Sequence, residues 1–360
     1  MGGDANRHFR WGPSDATLAV MTPRQIGLLA ALASIWGGSY LLIKYCLEDF
    51  SAPVIVCGRS LLGAGVLLLA IRLQGGATWD ALRDARRRPW TALGLGAVAI
   101  AAPFLLITVG EQEVPSGLTA VLIASVPLFV ALFAPFLDRS EQIDRRQGVG
   151  LAVGILGVGL LVGVESVSTL GQFLGAMAMI GAAACYALSS FVVKAAYRGI
   201  PAIVTSFFSV GAGALITLPP ALADLPSEAP GLRAVLALVG LGALGTAVAF
   251  VIFYKLIGEL GAGRAALVSY LAPPVALAYG AALLDEPITP GAIAGLALIL
   301  GGVALASRGR AKPVSPPRTG GQQPASTRPT PPARHYPPAP GRRPTASAPA
   351  WAESRRPPSS

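Results

Sequence analysis

The chain has 360 residues, is 53% hydrophobic and only 13% charged, and has a mean hydropathy of +0.61. A soluble protein of this length needs far more charge to cover its surface, so the composition excludes a water-soluble enzyme or binding module. The net charge of +10 does not point to a nucleic-acid partner, because ten of the 28 basic residues lie from Arg308 onward and most others lie in short loops, where they act as topology signals.

Residues 1–24 are polar and lack an apolar stretch ahead of a cleavage site, so they are expected to be a cytoplasmic segment and not a signal peptide. Ten apolar runs follow, at about 25–45, 52–72, 90–110, 116–137, 148–164, 174–194, 202–221, 234–255, 264–284 and 290–307. Runs of roughly 18–22 residues match the hydrocarbon thickness of a bilayer. The pattern predicts an all-α membrane protein of ten transmembrane helices, with short connections apart from the charged stretch between Leu73 and Pro89. Residues 308–360 are rich in Pro, Ser and Arg, bury no periodic apolar face and are expected to be a disordered cytoplasmic tail, solvated or touching anionic lipid. With the N-terminus inside, 25 basic residues fall on the cytoplasmic side and only Lys44 and Arg233 on the other. This charge bias predicts a cell-membrane protein with both termini cytoplasmic.

The two halves match each other in order. Trp36, Ser39 and Lys44 correspond to Tyr186, Ser189 and Lys194, and Pro53 to Pro201. Gly117 and Pro127 correspond to Gly263 and Pro273, and Glu141, Gly150, Gly157 and Val158 to Glu286, Gly295, Gly302 and Val303. Five crossings per half, over 25–164 and 174–307, place the halves in opposite orientations: two inverted-topology five-helix repeats. That architecture is used by many secondary transporters, with the substrate at the repeat interface.

Asp285-Glu286-Pro287-Ile288-Thr289 with Gly295 and Ile299-Leu300-Gly301-Gly302-Val303, and Glu141 through Gly157-Val158, resemble the ends of EamA domains. Trp36-Gly37-Gly38-Ser39 with Lys44, Pro53 and Arg59 resembles the start of one. The likeness covers roughly residues 25–307 and implies the drug/metabolite transporter superfamily. Such a protein has ten helices around a cavity and moves amino acids, metabolites or drugs, commonly as an exporter.

Arg59 is the one charge well inside a predicted helix. It either binds a carboxylate or phosphate of the solute, or reaches Glu48, Asp49 or Glu111, or ties helices together. Trp36, Tyr40 and Tyr186 suit a cavity wall for an organic solute or simple packing, and Ser39 and Ser189 could donate hydrogen bonds to solute or to neighbouring helices. Pro127, Pro273 and Pro274 are expected to interrupt the fourth and ninth helices as hinges, or merely to curve them. Lys44 and Lys194 are expected to snorkel, and Glu141 and Glu286 to favour a helix N-terminus. The G-x-x-x-G pairs Gly150/Gly154, Gly159/Gly163 and Gly291/Gly295 permit close packing within the chain or in a homo-oligomer.

No metal site, cofactor or catalytic residue is expected. His8 and His335 lie in polar tails, Cys46, Cys57 and Cys185 lack C-x-x-C spacing, and no hydrolase signature occurs. Gly240-Leu-Gly242-Ala-Leu-Gly245 matches a dinucleotide fingerprint but lies in an apolar helix without a preceding strand. A channel would need a carbonyl filter or a ring of one charge, neither of which is visible. The 18 acids all fall in tails, loops or helix ends, which favours facilitated exchange over proton coupling through a buried carboxylate. Glu111 is the nearest exception: among apolar walls it would titrate, whereas against Arg59 it would stay ionised.

Overall fold

A computed structural model describes residues 21–137, 145–161, 169–196, 200–260 and 268–307. The expected tail and Glu141 lie outside these residues. All described elements are helical: α1 Pro23–Cys46, α2 Ala52–Gln74, α3 Gly76–Ala85, α4 Pro89–Gly110, α5 Ser116–Ile123, α6 Val126–Leu137, α7 Arg145–Leu160, α8 Leu170–Ala196, α9 Ala202–Ala223, α10 over 232–260, α11 Val268–Leu283 and α12 Pro290–Ser307.

Local chemistry sets several boundaries. Thr22 opens α1 with a capping box, its hydroxyl accepting from the Gln25 amide at 3.3 Å while Gln25 accepts from the Thr22 amide at 3.0 Å. Gly75 and Gly76, at φ 57° and 49°, turn the chain from α2 into α3 through a backbone region that side chains disfavour. The charged stretch after Leu73 is therefore not only a connection. α3 buries Leu82 and Ala85 in a cluster with Ile71 and Val204, and leaves Arg86 and Arg87 exposed beyond its end.

Among the described residues, seven helical stretches are long and apolar enough to cross a membrane: Pro23–Cys46, Ala52–Gln74, Pro89–Gly110, Ser116–Phe133, Leu170–Val193, Ala202–Ala223 and Leu232–Phe253. Three shorter apolar helices, Gly148–Leu160, Val268–Leu283 and Pro290–Leu305, occupy the remaining expected crossings. The protein is thus an all-α, multi-span membrane protein.

Two of the long helices widen midway. α4 does so over Ala97–Ala101 and α10 over Leu241–Val248, where each bond spans one residue more than in a regular turn. In α4 the cause is at hand: Pro103 offers no N–H to the preceding turn. The fourth apolar run breaks between Ile123 and Val126, so Pro127 stands at the start of α6, where a missing N–H costs nothing. The ninth run is not interrupted. α11 is continuous through Pro273 and Pro274, and the carbonyls they leave free, on Ser269 and Tyr270, fall in the first described turn.

In the packing, α1 lies on α11, while α8 lies on α5 and α6; α4 lies on α8, and α10 on α1. α2 lies on α10, and α9 on α4; α2 also packs on α9, and α7 on α12. Ile43, Ile55, Ile107, Leu122, Leu161, Met179, Leu241 and Ile299 form the largest buried cluster. Leu69, Leu156, Leu215, Leu236 and Ile293 point outward, as lipid-facing side chains do.

The α7–α12 seam is built on glycine. A Cβ on Gly157 would stand 2.9 Å from the Ile299 nitrogen, and one on Gly302 would stand 2.5 Å from the Gly150 oxygen. Gly154 and Gly295 are likewise covered, by Leu128 and Leu161, whereas Gly159 faces open space and Gly163 lies outside the described residues. Gly302→Leu should therefore force these helices apart and cost about 1–3 kcal/mol, read as a lower Tm in detergent. An unchanged Tm would show that the seam can yield.

Candidate functional site

Arg59 lies about two turns into α2, only 5% exposed. Its guanidinium stacks over the Phe104 ring, 4.1 Å from the centroid, and its Nε donates to the Thr246 hydroxyl at 3.4 Å. Phe104 follows the widened turn of α4, and Thr246 belongs to that of α10, where its own hydroxyl donates to the Leu241 carbonyl at 3.0 Å. The side chain therefore sits between the two widened turns. Tyr186, Cys46, Glu111 and Tyr40 are within electrostatic reach of the guanidinium. Among the described residues no carboxylate pairs with it. Glu48 pairs with Arg233 at 3.4 Å, and Asp49 accepts from the Gly231 amide at 2.9 Å. A buried guanidinium with five donors and one long hydrogen bond has unused capacity for an anion.

The structure thus gathers Tyr40, Arg59 and Tyr186, from α1, α2 and α8, around one locus. It places the other candidates elsewhere. Trp36 stacks on α10, 6.3 Å from Phe250 and 5.2 Å from Phe253 between ring centroids. The Ser39 hydroxyl donates to the Ile35 carbonyl at 2.9 Å and abuts Gly245, where a Cβ would stand 2.7 Å away. The Ser189 hydroxyl donates to the Tyr186 carbonyl at 2.8 Å. Pro127, Pro273 and Pro274 lie in the helix segments α6 and α11 described above.

Phe104, Thr246 and the widened turns escaped the sequence reading. Pro103 was the available signal for one of them. For the other it was the Gly240–Gly245 stretch that mimics a dinucleotide motif: Gly242 lets α2 approach so closely that a Cβ there would stand 3.1 Å from the Arg59 carbonyl oxygen.

A second polar group closes the end of the bundle at which α1 and α4 terminate. Lys44 does not simply snorkel; its ammonium donates to the main-chain oxygen of Glu111. The Glu111 side chain is 0% exposed, and neither carboxylate oxygen has a hydrogen-bond partner among the described residues. A cavity of about 280 Å³ adjoins it, lined by Lys44, Leu47, Glu48, Glu111 and Gln112. Glu111 follows directly on the last residue of the α4 span. Burial pushes its carboxyl well above the usual carboxylate range; Lys44 opposes this, Glu286 adds to it, and Arg59 opposes it more weakly.

Glu286 does serve a helix N-terminus, but that of α5 and not of the helix it precedes. Its carboxylate accepts from the Ser116 amide at 2.8 Å, the Ser116 hydroxyl at 2.9 Å and the Gly117 amide at 3.1 Å. The geometry follows from how α11 ends. Asp285 takes a left-handed φ of 53°, and the Glu286 amide donates back to the Gly280 carbonyl at 3.1 Å, a C-terminal lock that aims the side chain at α5. Gly280 has to lack a side chain, since a Cβ there would collide with the Glu286 carboxylate.

The described residues thus form a multi-span helical bundle with a buried cation between two widened helices. The chain belongs to the EamA-like transporter family, whose sequence profile matches residues 24–163 and again 173–308, and with it to the drug/metabolite transporter superfamily. It is 29% identical over 297 residues to the "uncharacterized inner membrane transporter YedA" of Escherichia coli, covering 81% of this chain and 94% of that one. It is 30% identical to the "probable terminal-alkyne amino-acid exporter" of Streptantibioticus cattleyicolor, covering 78% and 94%. A solved crystal structure shares the fold with a TM-score of 0.57 at 20% identity, over 80% of this chain and 97% of its own.

Removing the cap on α5 leaves the Ser116 and Gly117 amides without their acceptor. Glu286→Ala should cost about 1–3 kcal/mol, measured by thermal unfolding in detergent. A smaller loss than an exposed control such as Glu228→Ala would show that the cap is not a structural tie.

Proposed function

We propose that the protein is a secondary transporter, an exporter of a small organic solute that carries a carboxylate, with amino acids the first candidates. It works by alternating access between two inverted five-helix repeats that together make ten crossings, with both termini cytoplasmic. The observation that carries this reading is Arg59, a buried guanidinium with no counter-anion among the described residues. It sits against residues of both halves, Phe104 from the first and Thr246 and Tyr186 from the second. An uncompensated charge at this depth is costly unless an anion occupies the site for part of the cycle. Trp36, Ser39 and Ser189 are further from this locus in their contacts and are assigned a supporting role around it. Pro127, Pro273 and Pro274 are the hinge candidates on the helices that flank it.

Three further findings support the reading. Exchanging the two halves maps the packing onto itself: the α1–α11 pair onto α8 with α5–α6, the α4–α8 pair onto α10–α1, and the α2–α10 pair onto α9–α4. The widened turns of α4 and α10 stand at corresponding places in the two halves. A relative of 30% identity is named as a "probable terminal-alkyne amino-acid exporter". Since Gly154 and Gly295 are covered within the chain, a homo-oligomer through the G-x-x-x-G pairs would use open glycines such as Gly159.

The orientation is tested by single cysteines at Ala77 and Ser227 in a chain whose three native cysteines are replaced. In intact cells the first should be protected from an impermeant thiol reagent and the second labelled. The opposite pattern, or labelling of both, would sink the ten-crossing scheme.

The site is tested in proteoliposomes with a panel of amino acids and short monocarboxylates. Arg59→Met should lose saturable flux at least ~10-fold while its Tm stays equal or rises, because an apolar side chain of similar length removes a buried charge. Flux that survives in Arg59→Met would make Arg59 a structural residue.

A further inference from the structure

Charged side chains surround Glu111, and each is engaged with something else. On α1, the Lys44 ammonium is bonded to the Glu111 main-chain oxygen, Tyr40 lies among the apolar side chains of the core, and Glu48 faces Arg233 across the rim of the cavity. On α2, the Arg59 guanidinium is spread over Phe104 and bonded to Thr246. From the turn after α11, the Glu286 carboxylate is occupied by three donors at the start of α5. On α8, packed along α4, Tyr186 reaches toward Arg59 and no acid is present. Both Glu111 oxygens are left without a donor and are sealed from solvent, while the residue itself borders the open cleft it shares with Lys44, Leu47, Glu48 and Gln112. An ionised carboxylate would not persist in that setting, whereas a neutral carboxylic acid would.

We propose that Glu111 is the proton-binding site of this transporter, loaded or unloaded through the Lys44–Glu48 cavity each time this end of the bundle opens. The coupling part of this proposal rests on the transporter reading above; the proton site itself does not. In the closed arrangement the acid is neutral. Opening admits water and frees Lys44 from the main-chain oxygen; the O–H bond then breaks, the proton passes to water, and the carboxylate left behind pairs with the ammonium. The sequence favours exchange without a buried titrating acid. Glu111 meets the condition for the exception left open there, because it is enclosed and forms no ion pair with Arg59.

The proton site is read without any transported solute, by infrared titration of purified wild-type protein. A protonated carboxyl band should persist at neutral pH and disappear in alkali. It should be absent from Glu111→Gln and retained in Glu113→Gln, whose acid is exposed. No protonated band at neutral pH, or one unchanged in Glu111→Gln, overturns the assignment. Should Glu111→Gln fail to fold, Lys44→Met serves instead. Removing the nearest cation should shift the midpoint of the same band to higher pH, and an unmoved midpoint overturns the proposal.

Linkage gives a second reading. A carboxyl raised in the folded chain costs wild type stability as pH climbs from the ordinary carboxylate range toward the raised value. Glu111→Gln should therefore have the higher Tm at neutral pH, with the gap closing in acid; a lower Tm at neutral pH overturns the proposal. In liposomes, a pH gradient should drive wild-type flux of the amino-acid panel and have no effect on Glu111→Gln, and a gradient response kept by the variant overturns coupling. Absence of any wild-type flux would refute the transporter reading while leaving the infrared result to decide the proton site.

Discussion

Hydrocarbon supplies no hydrogen bonds, so every polar group that enters the bundle must be satisfied by the protein or held for something that arrives. Most of the buried hydroxyls settle the matter within their own helix. Thr108, Thr119, Ser206 and Thr217 donate to carbonyls four residues back. Arg59 and Glu111 do not. One keeps a guanidinium on an aromatic face with a single long hydrogen bond, the other a carboxyl with none, and the helices around both are widened, broken or capped from a distance.

That arrangement concentrates irregularity where the two halves of the chain meet. The widened turns of α4 and α10, the break between α5 and α6, and the capping of α5 by Glu286 all lie along the contact of residues from the first match to the EamA family with residues from the second. The regular helices α2, α7, α9 and α12 pack in pairs, α2 with α9 and α7 with α12. Bonding defects near a polar site give helices alternative geometries at small cost, which is what a solute passing between two faces requires.

The class of protein was plain from composition, because apolar runs of membrane length leave little else for the chain to be. Tyr40, Arg59 and Tyr186, which the fold brings together, were legible as candidates, since a charge and polar-tipped aromatics within a span stand out against Leu, Ala and Gly. Thr246 and Phe104 were not, because a threonine or phenylalanine in an apolar helix looks like any other and only the tertiary fold brings them to Arg59. For Ser39 and Ser189 the shared register left solute contact and helix contact both open, and in the fold each hydroxyl is bonded to its own helix. Glu286 was read as serving an N-terminus by charge alone; which one it serves depends on the left-handed turn at Asp285, which the residue type does not announce. Continuity of α11 through two prolines was hidden because the cost of a proline depends on whether the freed carbonyls fall inside a helix or at its first turn.

The glycine seam between α7 and α12 has a mechanical consequence. Where the backbone of one helix rests on the backbone of the other, with Gly302 against Gly150 and Gly154, and Gly157 against Ile299, there are no flexible side-chain ends to act as bearings. Sliding by part of a turn would drive main-chain atoms into each other, so the two helices move as one strut. A strut drawn from both halves of the chain ties the first match to the EamA family to the second, so neither half can shift at this seam without the other.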